Sequence, residues 1–215
     1  MTKIAVLDYG LGNIKSIFGA LDKTGAAICL TNSRDEIISA DGLILPGVGA
    51  FAHAMRRLSS SGLDLIIGDF VQTGKPFLGI CLGMQMLFDS STEFGKTKGL
   101  GLIAGRVIYL GDFSKLKEKI PHVSWSEIEL KSSSWNSTIL DGIESGDNMY
   151  FVHSYFAQPN NEDDILSVTK FSGHDYCSTV NYKNIFGCQY HPEKSAKKGL
   201  RVINNFVEIC RGKYA

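Results

Sequence analysis

Gly79-Ile80-Cys81-Leu82-Gly83-Met84-Gln85 sets a thiol between two glycines, after the apolar run Pro76-Phe77-Leu78 and before the helix-compatible Met84 to Phe88. Strand, sharp turn, helix is the layout of a nucleophile elbow, here with Cys where Ser is common. The turn strains the backbone at the nucleophile and crowds its neighbours, so flanking residues without a Cβ relieve the clash. A helix starting just after the thiol adds free N–H groups and a positive dipole end, which favour a thiolate and a developing oxyanion. A buried cysteine serving as a small apolar residue is the competing reading, and the other four cysteines fit it better.

Upstream, the chain alternates short apolar runs with helical spacing. Lys3 to Leu7 reads as a strand, Asp8-Tyr9-Gly10-Leu11-Gly12-Asn13 as a loop, and Ile14, Ile17, Phe18 and Leu21 as one stripe of a helix. Ala27 to Leu30 is a second strand. Ser33 is placed to cap a short helix over 34–40, and Gly42 to Leu45 is a third strand running into Pro46-Gly47-Val48-Gly49-Ala50-Phe51. Helical spacing returns over 51–58 and 63–71, before the strand at 76–80. Ligands in such parallel sheets sit beyond the carboxyl ends of the strands, so the loops at 8–13, 46–51 and 81–85 are expected to meet at one edge.

Downstream the character changes. Residues 90–101 read as a loop, then short alternating runs follow at 107–110, 149–156, 165–170, 177–182 and 185–190, an antiparallel pattern. The final helix is expected over 195–211. A sheet parallel in its first half and antiparallel later keeps one core, so the 215 residues read as a single domain, 1–215.

Composition narrows the function classes. Basic and acidic residues balance at 22 each, leaving no electrostatic footprint for nucleic acid or a membrane surface. No apolar run approaches a bilayer span, and Met1-Thr2-Lys3 leads straight into a strand, so a cytoplasmic protein is expected. Cysteines at 29, 81, 177, 188 and 210 form no CxxC pair, and histidines at 53, 122, 153, 174 and 191 are scattered, so reduced thiols, no metal and no cofactor are expected.

A cysteine nucleophile needs a base, and the base needs a group to orient it. Gln189-Tyr190-His191-Pro192-Glu193-Lys194-Ser195 follows a strand and sets His191 two residues from Glu193, with Pro192 stiffening the link. The outline is a Cys81-His191-Glu193 triad. Taken singly, His191 also suits a core edge and Glu193 the dipole of the last helix.

With these residues in place, a family resemblance follows. Cys81 in GICLGMQ, His191 and Glu193 in HPEKS, and PGVG at 46–49 resemble the class I (triad) glutamine amidotransferases. DYGLGN at 8–13, PGVGAF at 46–51, KGLGLIAG at 98–105, IPHVSW at 120–125 and YFVHSYF at 150–156 are similar to the glutaminase subunits of imidazole glycerol phosphate synthase. The likeness spans almost the whole chain. It implies a flavodoxin-like α/β fold, with a central, mixed, mainly parallel sheet flanked by helices and an added antiparallel sheet.

The resemblance also implies chemistry. Cys81 would attack the side-chain amide of L-glutamine, giving a glutamyl thioester and ammonia, and water would then release glutamate. His191 would move the protons and Glu193 would orient it. An oxyanion hole would form from Leu82 and the loop of Val48 and Gly49, with a peptide flip at Val48; by spacing alone PGVG is a plain turn. Gly49, Gln85, Glu93, Ser154 and Tyr155 would bind glutamine. Asn13, Trp125, Tyr150, His153 and Lys194 would face the ammonia path and a HisF-type (β/α)8 cyclase subunit. As a heterodimer the two would make imidazole glycerol phosphate and aminoimidazole carboxamide ribonucleotide (AICAR) from PRFAR, the phosphoribulosyl-formimino ribonucleotide of histidine biosynthesis. The chain departs from the family at Pro121-His122-Val123-Ser124-Trp125-Ser126, where a Gly and an Asn are serines. A paralogue feeding ammonia to a sugar amidotransferase in surface-polysaccharide biosynthesis is the alternative those serines raise.

Overall fold

A computed structural model describes residues 1–112, 119–131 and 133–213. The first half alternates strand and helix: β1 (Lys3–Leu7), α1 (Ile14–Leu21), β2 (Ala27–Thr31), α2 (Arg34–Ser39), β3 (Gly42–Leu45), α3 (Phe51–Ser60), α4 (Leu63–Gln72), β4 (Phe77–Ile80) and α5 (Leu82–Met86). Strands then dominate: β5 (Phe88–Ser91), β6 (Thr97–Lys98), β7 (Ile103–Tyr109), β8 (His122–Leu130), β9 (Asp147–His153), β10 (Tyr155–Pro159), β11 (Ile165–Phe171), β12 (His174–Tyr182) and β13 (Ile185–Cys188). The chain returns through α6 (Ala196–Cys210).

Nine strands form one sheet in the order β2-β1-β3-β4-β13-β12-β11-β8-β9. β2, β1, β3, β4 and β13 run parallel, and from β12 onward the pairing is antiparallel. The change of sense falls at β13, which continues the parallel set beside the strand that carries Cys81. Successive residues of β1 serve opposite faces: Ile4 and Val6 join the cluster of Ile17, Leu21, Val202 and Phe206, whereas Ala5 and Leu7 join Phe51, Leu58, Ile67 and Phe70. That double burial explains why the parallel strands read as unbroken apolar runs. Each such side chain stabilises the fold by about 1.5–3 kcal/mol.

A second sheet, β10-β7-β5-β6, lies apart from the first. Its outer pairs are antiparallel, but β5 and β7 run parallel, so the added sheet is itself mixed. The stretch expected to be one loop at 90–101 supplies the end of β5 and all of β6. The run 149–156, expected as one strand, is two: β9 ends at His153 in the large sheet and β10 begins at Tyr155 in the small one, with Ser154 as the joint. Alternation of side chains continues across a bend between sheets, so periodicity could not reveal it.

Two expected helix starts are organised differently. Ser33 sits at the start of α2 but its hydroxyl makes no cap bond; the Thr31 hydroxyl instead accepts from the Ser33 N–H (3.0 Å) and donates to Glu36. Ser195 precedes α6, and its hydroxyl is spent on the His191 carbonyl (2.7 Å) instead of the helix. No described helix is long and apolar enough to cross a membrane.

Candidate active site

Cys81 joins β4 to α5 at φ 55° and ψ −110°, a conformation costly for a residue with a side chain. Its N–H donates to Cys188 O (2.8 Å) and its carbonyl accepts from Gln85 N–H (3.1 Å), so both neighbours hold the strained geometry. The flanking glycines are needed for close approach. A Cβ on Gly83 would lie 2.0 Å from Leu45 O, and one on Gly47 would lie 2.5 Å from Gly83 N. The elbow and the 46–49 loop are therefore pressed together with no room for a methyl group. Tyr9 ties that loop down further, its hydroxyl donating to Pro46 O (2.7 Å).

His191 follows β13 and is 2 % exposed. Its N–H donates to Tyr150 O (2.9 Å), which fixes the backbone against β9. Its Nδ1 meets Glu193 Oε1 at 2.8 Å, and its other side hydrogen-bonds the Cys81 thiol. Burial alone would lower the imidazole pKa; the hydrogen bonds and negative charge at Cys81 and Glu193 outweigh it and raise the pKa to about 10. The Glu193 side chain is fully buried, accepts from Asn13 Nδ2 (3.3 Å), and its Oε2 has no hydrogen-bond partner among the described residues. A carboxylate so poorly solvated favours a cation beside it.

A cavity of about 400 Å³ opens over this group. Val48 and Gly49 form one wall, Ser154 and Tyr155 another, with Cys81, Leu82, Gln85, Glu93, His153 and His191 between. The loops at 46–51 and 81–85 thus meet as expected, and the loop at 8–13 joins through Tyr9 and Asn13. Gly49 adopts φ +97°. Glu93 reaches across from the end of β5 to accept from Phe51 N–H (2.6 Å) at the start of α3.

The profile of the glutamine amidotransferase class-I family matches residues 5–210. The chain belongs to the class I glutamine amidotransferases. Among curated relatives, imidazole glycerol phosphate synthase subunit HisH 1 of Legionella pneumophila strain Lens is 44 % identical over 214 residues, covering 97 % of this chain and all of the relative. The HisH subunits of Geobacillus thermodenitrificans (43 %, 99 % of each chain) and Methanosarcina acetivorans (44 %, 98 % and 100 %) are comparable, which sets this amidotransferase in the HisH group. Solved structures share the fold at lower identity: PurLQS from Thermotoga maritima (TM-score 0.72, 17 % identity, 97 % and 98 % covered) and the glutaminase domain of CTPS from Trypanosoma brucei (0.70, 15 %, 99 % and 94 %).

The residues expected at a partner surface divide in this amidotransferase. Trp125 packs edge-on against Tyr150 (6.0 Å between centroids), and Lys194 Nζ lies 5.9 Å over the Tyr150 ring. Trp125, Glu193 and Lys194 line one groove with α1. Trp125 is half-exposed and hence no core residue. His153 is instead buried at the wall of the cavity. Its Nδ1 meets Tyr155 O (2.9 Å) and its Nε2 the Tyr176 hydroxyl (3.1 Å); burial, with the nearby His122, lowers its pKa to about 3, so it is neutral.

Sequence reasoning missed two supports. Gln189, fully buried, accepts from Gln85 Nε2 (3.0 Å) and points its own Nε2 at Cys81 Sγ (3.8 Å). It lies two residues before His191 at a strand end, so period-two alternation could have found it. Ser195 accepts from Tyr150 N–H (2.9 Å) while donating to His191 O. Nothing in its spacing marks that clamp. Among the described residues, no group of three His, Cys, Asp or Glu could hold a metal ion.

Proposed function

We propose that this chain is the glutaminase subunit of an imidazole glycerol phosphate synthase, one domain hydrolysing glutamine and passing ammonia to a cyclase partner in histidine biosynthesis. The observation that carries the reading is the buried Cys81-His191-Glu193 array at a strained elbow, in a chain that matches HisH subunits over its whole length. With its proton already on His191, the Cys81 thiolate attacks the side-chain amide carbon of glutamine. His191 returns the proton to the departing nitrogen as the C–N bond breaks, leaving a glutamyl thioester and ammonia. Water then attacks, passing a proton to His191, and the C–S bond breaks to give glutamate and the free thiol. Glu193 holds the imidazole in one tautomer, since its contact with Nδ1 leaves Nε2 for the reacting atoms. The Leu82 N–H and, after a peptide flip at Val48, an N–H of the Val48–Gly49 turn serve the oxyanion, and glycine at 49 adopts its φ of +97° without strain.

The groove of Trp125, Glu193 and Lys194, with Tyr150 packed on Trp125 and Asn13 bonded to Glu193, is the docking side for a HisF-type barrel, and ammonia leaves past His191 toward it. Ser124 and Ser126 do not argue for a sugar-amidating partner, because their hydroxyls bond inward to His122 (2.7 and 2.9 Å) while Trp125 occupies the opposite face of β8. The test is ammonia transfer to a purified histidine-pathway cyclase, with and without its phosphoribulosyl substrate. Glutamine-dependent product, with glutamine hydrolysis stimulated by the liganded cyclase and abolished by Cys81→Ala, is expected. Product from ammonium salts but never from glutamine would refute the reading.

A further inference from the structure

One chain of hydrogen bonds, buried at its centre, runs from β8 to the glutamine pocket, and its direction can be worked out from a single atom. The Tyr155 carbonyl only accepts. His153 Nδ1, 2.9 Å away, must therefore carry the ring proton, and its Nε2 is bare. The Tyr176 hydroxyl (3.1 Å) donates to that nitrogen, which spends its one hydrogen. Its oxygen is then left to accept from His122 Nδ1 (3.0 Å). Beyond it, His122 Nε2 lies 2.7 and 2.9 Å from the hydroxyls of Ser124 and Ser126, themselves 2.7 Å apart.

The same carbonyl fixes the pocket side. It can take only the amide nitrogen of Gln85 (2.8 Å), whose second hydrogen goes to Gln189 Oε1 (3.0 Å). Both Gln85 hydrogens are committed. The atom Gln85 has left for a ligand is Oε1, an acceptor suited to the ammonium group of an amino acid. Gln189 is oriented as a consequence, with its N–H toward Cys81 Sγ.

We infer that Tyr176 is a positioning residue for the glutamine pocket: it holds His153 in the tautomer that anchors the Tyr155 carbonyl, and so keeps in place the acceptor that turns Gln85 Nε2 away from the substrate. This rests on the glutaminase reading and extends it to a side chain that lines no part of the cavity. It also gives Ser124 and Ser126 a role, as the outer end of the chain. Phenylalanine at 176 would leave two buried ring nitrogens without their shared partner, and the Tyr155 carbonyl would lose its fixed donor.

The test measures glutamine hydrolysis by the chain assembled with its cyclase, for wild type, Tyr176→Phe, Ser124→Ala/Ser126→Ala and, as control, Tyr190→Phe. Tyr190 is also buried and its hydroxyl accepts from Thr179 (3.2 Å), so the control removes one hydroxyl elsewhere in the core. Tyr176→Phe is expected to raise KM for glutamine about tenfold with kcat changed by less than about threefold. The serine pair should move KM in the same direction by about threefold, and Tyr190→Phe should leave it unchanged. Imidazole 15N spectra of the wild type should show His153 protonated at Nδ1. Unchanged KM in Tyr176→Phe and the serine variant, or His153 protonated at Nε2, overturns the inference while the glutaminase reading stands. Should Tyr176→Phe fail to fold, the serine pair and the spectra decide alone. Wild-type chain that never hydrolyses glutamine with its cyclase overturns both.

Discussion

His191 is pulled in two directions, and the outcome sets its chemistry. Burial disfavours the imidazolium, whereas Glu193 at 2.8 Å and the Cys81 contact favour it enough to raise the pKa to about 10. A pKa raised on folding contributes stability that is complete below the ordinary histidine value and lost as pH rises through about 10. In Glu193→Gln that contribution shrinks, so the melting-temperature gap between wild type and variant should be widest near pH 6 and close toward pH 10, in a pH series of thermal melts. The same variant should lose about 10²- to 10⁴-fold in kcat for glutamine, because the tautomer is no longer held. Ser195 poses a smaller question. Ser195→Ala leaves the Tyr150 N–H without its acceptor while His191 O keeps Lys194 N–H (3.0 Å), so urea unfolding should show a loss of about 1–3 kcal/mol. Since the His191 carbonyl is also freed on one side, kcat should fall more than KM rises; a KM effect alone would count against the clamp.

The elbow and the 46–49 turn are separate elements whose glycines answer to different constraints. Gly83 is excluded from change by space: a Cβ 2.0 Å from Leu45 O would force α5 away from β3. Gly83→Ala is expected to cost about 3 kcal/mol or more and to lower soluble yield and melting temperature together. Gly49 has nothing within 4 Å of the place a Cβ would take, and only its φ of +97° resists substitution. Gly49→Ala should therefore cost about 1–3 kcal/mol locally, keep the fold, and reduce glutamine turnover as the turn relaxes. Equal losses of melting temperature in the two variants, measured side by side, would contradict this division. The parallel elements were legible because strands buried on both faces leave unbroken apolar runs, as in Leu43-Ile44-Leu45. The joint at Ser154 was not, because a strand changing sheets keeps its alternation. Ser33 misled for another reason: the side chain that organises the start of α2 is Thr31, two residues earlier.

At the scale of the whole molecule, β8 turns different residues to the two faces of the large sheet. His122, Ser124 and Ser126 face inward to the Tyr176 hydroxyl chain, while Val123 and Trp125 stand about half exposed on the opposite face. Cys81, His191 and Glu193 were readable from local frames, since an elbow and a strand end each set their residues within a few positions. Tyr176 was not, and neither was the bond of Ser195 to Tyr150, because these partners lie 23 and 45 residues away and only the folded sheet brings them together. The two-sided strand makes a separable prediction. Trp125 is 51 % exposed and its ring rests on Tyr150, so Trp125→Ala should leave the melting temperature of the isolated chain nearly unchanged. If the groove docks a cyclase, the same substitution removes a large central aromatic, and the dissociation constant should rise about 30-fold, near 2 kcal/mol. Titration of cyclase into wild type and variant measures the first effect. At saturating cyclase the variant's glutamine turnover should recover to within about threefold of wild type, because no part of the pocket has been altered. An unchanged dissociation constant would move the docking surface elsewhere, and turnover that stays low at saturation would mean that Trp125 acts on the pocket through β8 rather than on assembly.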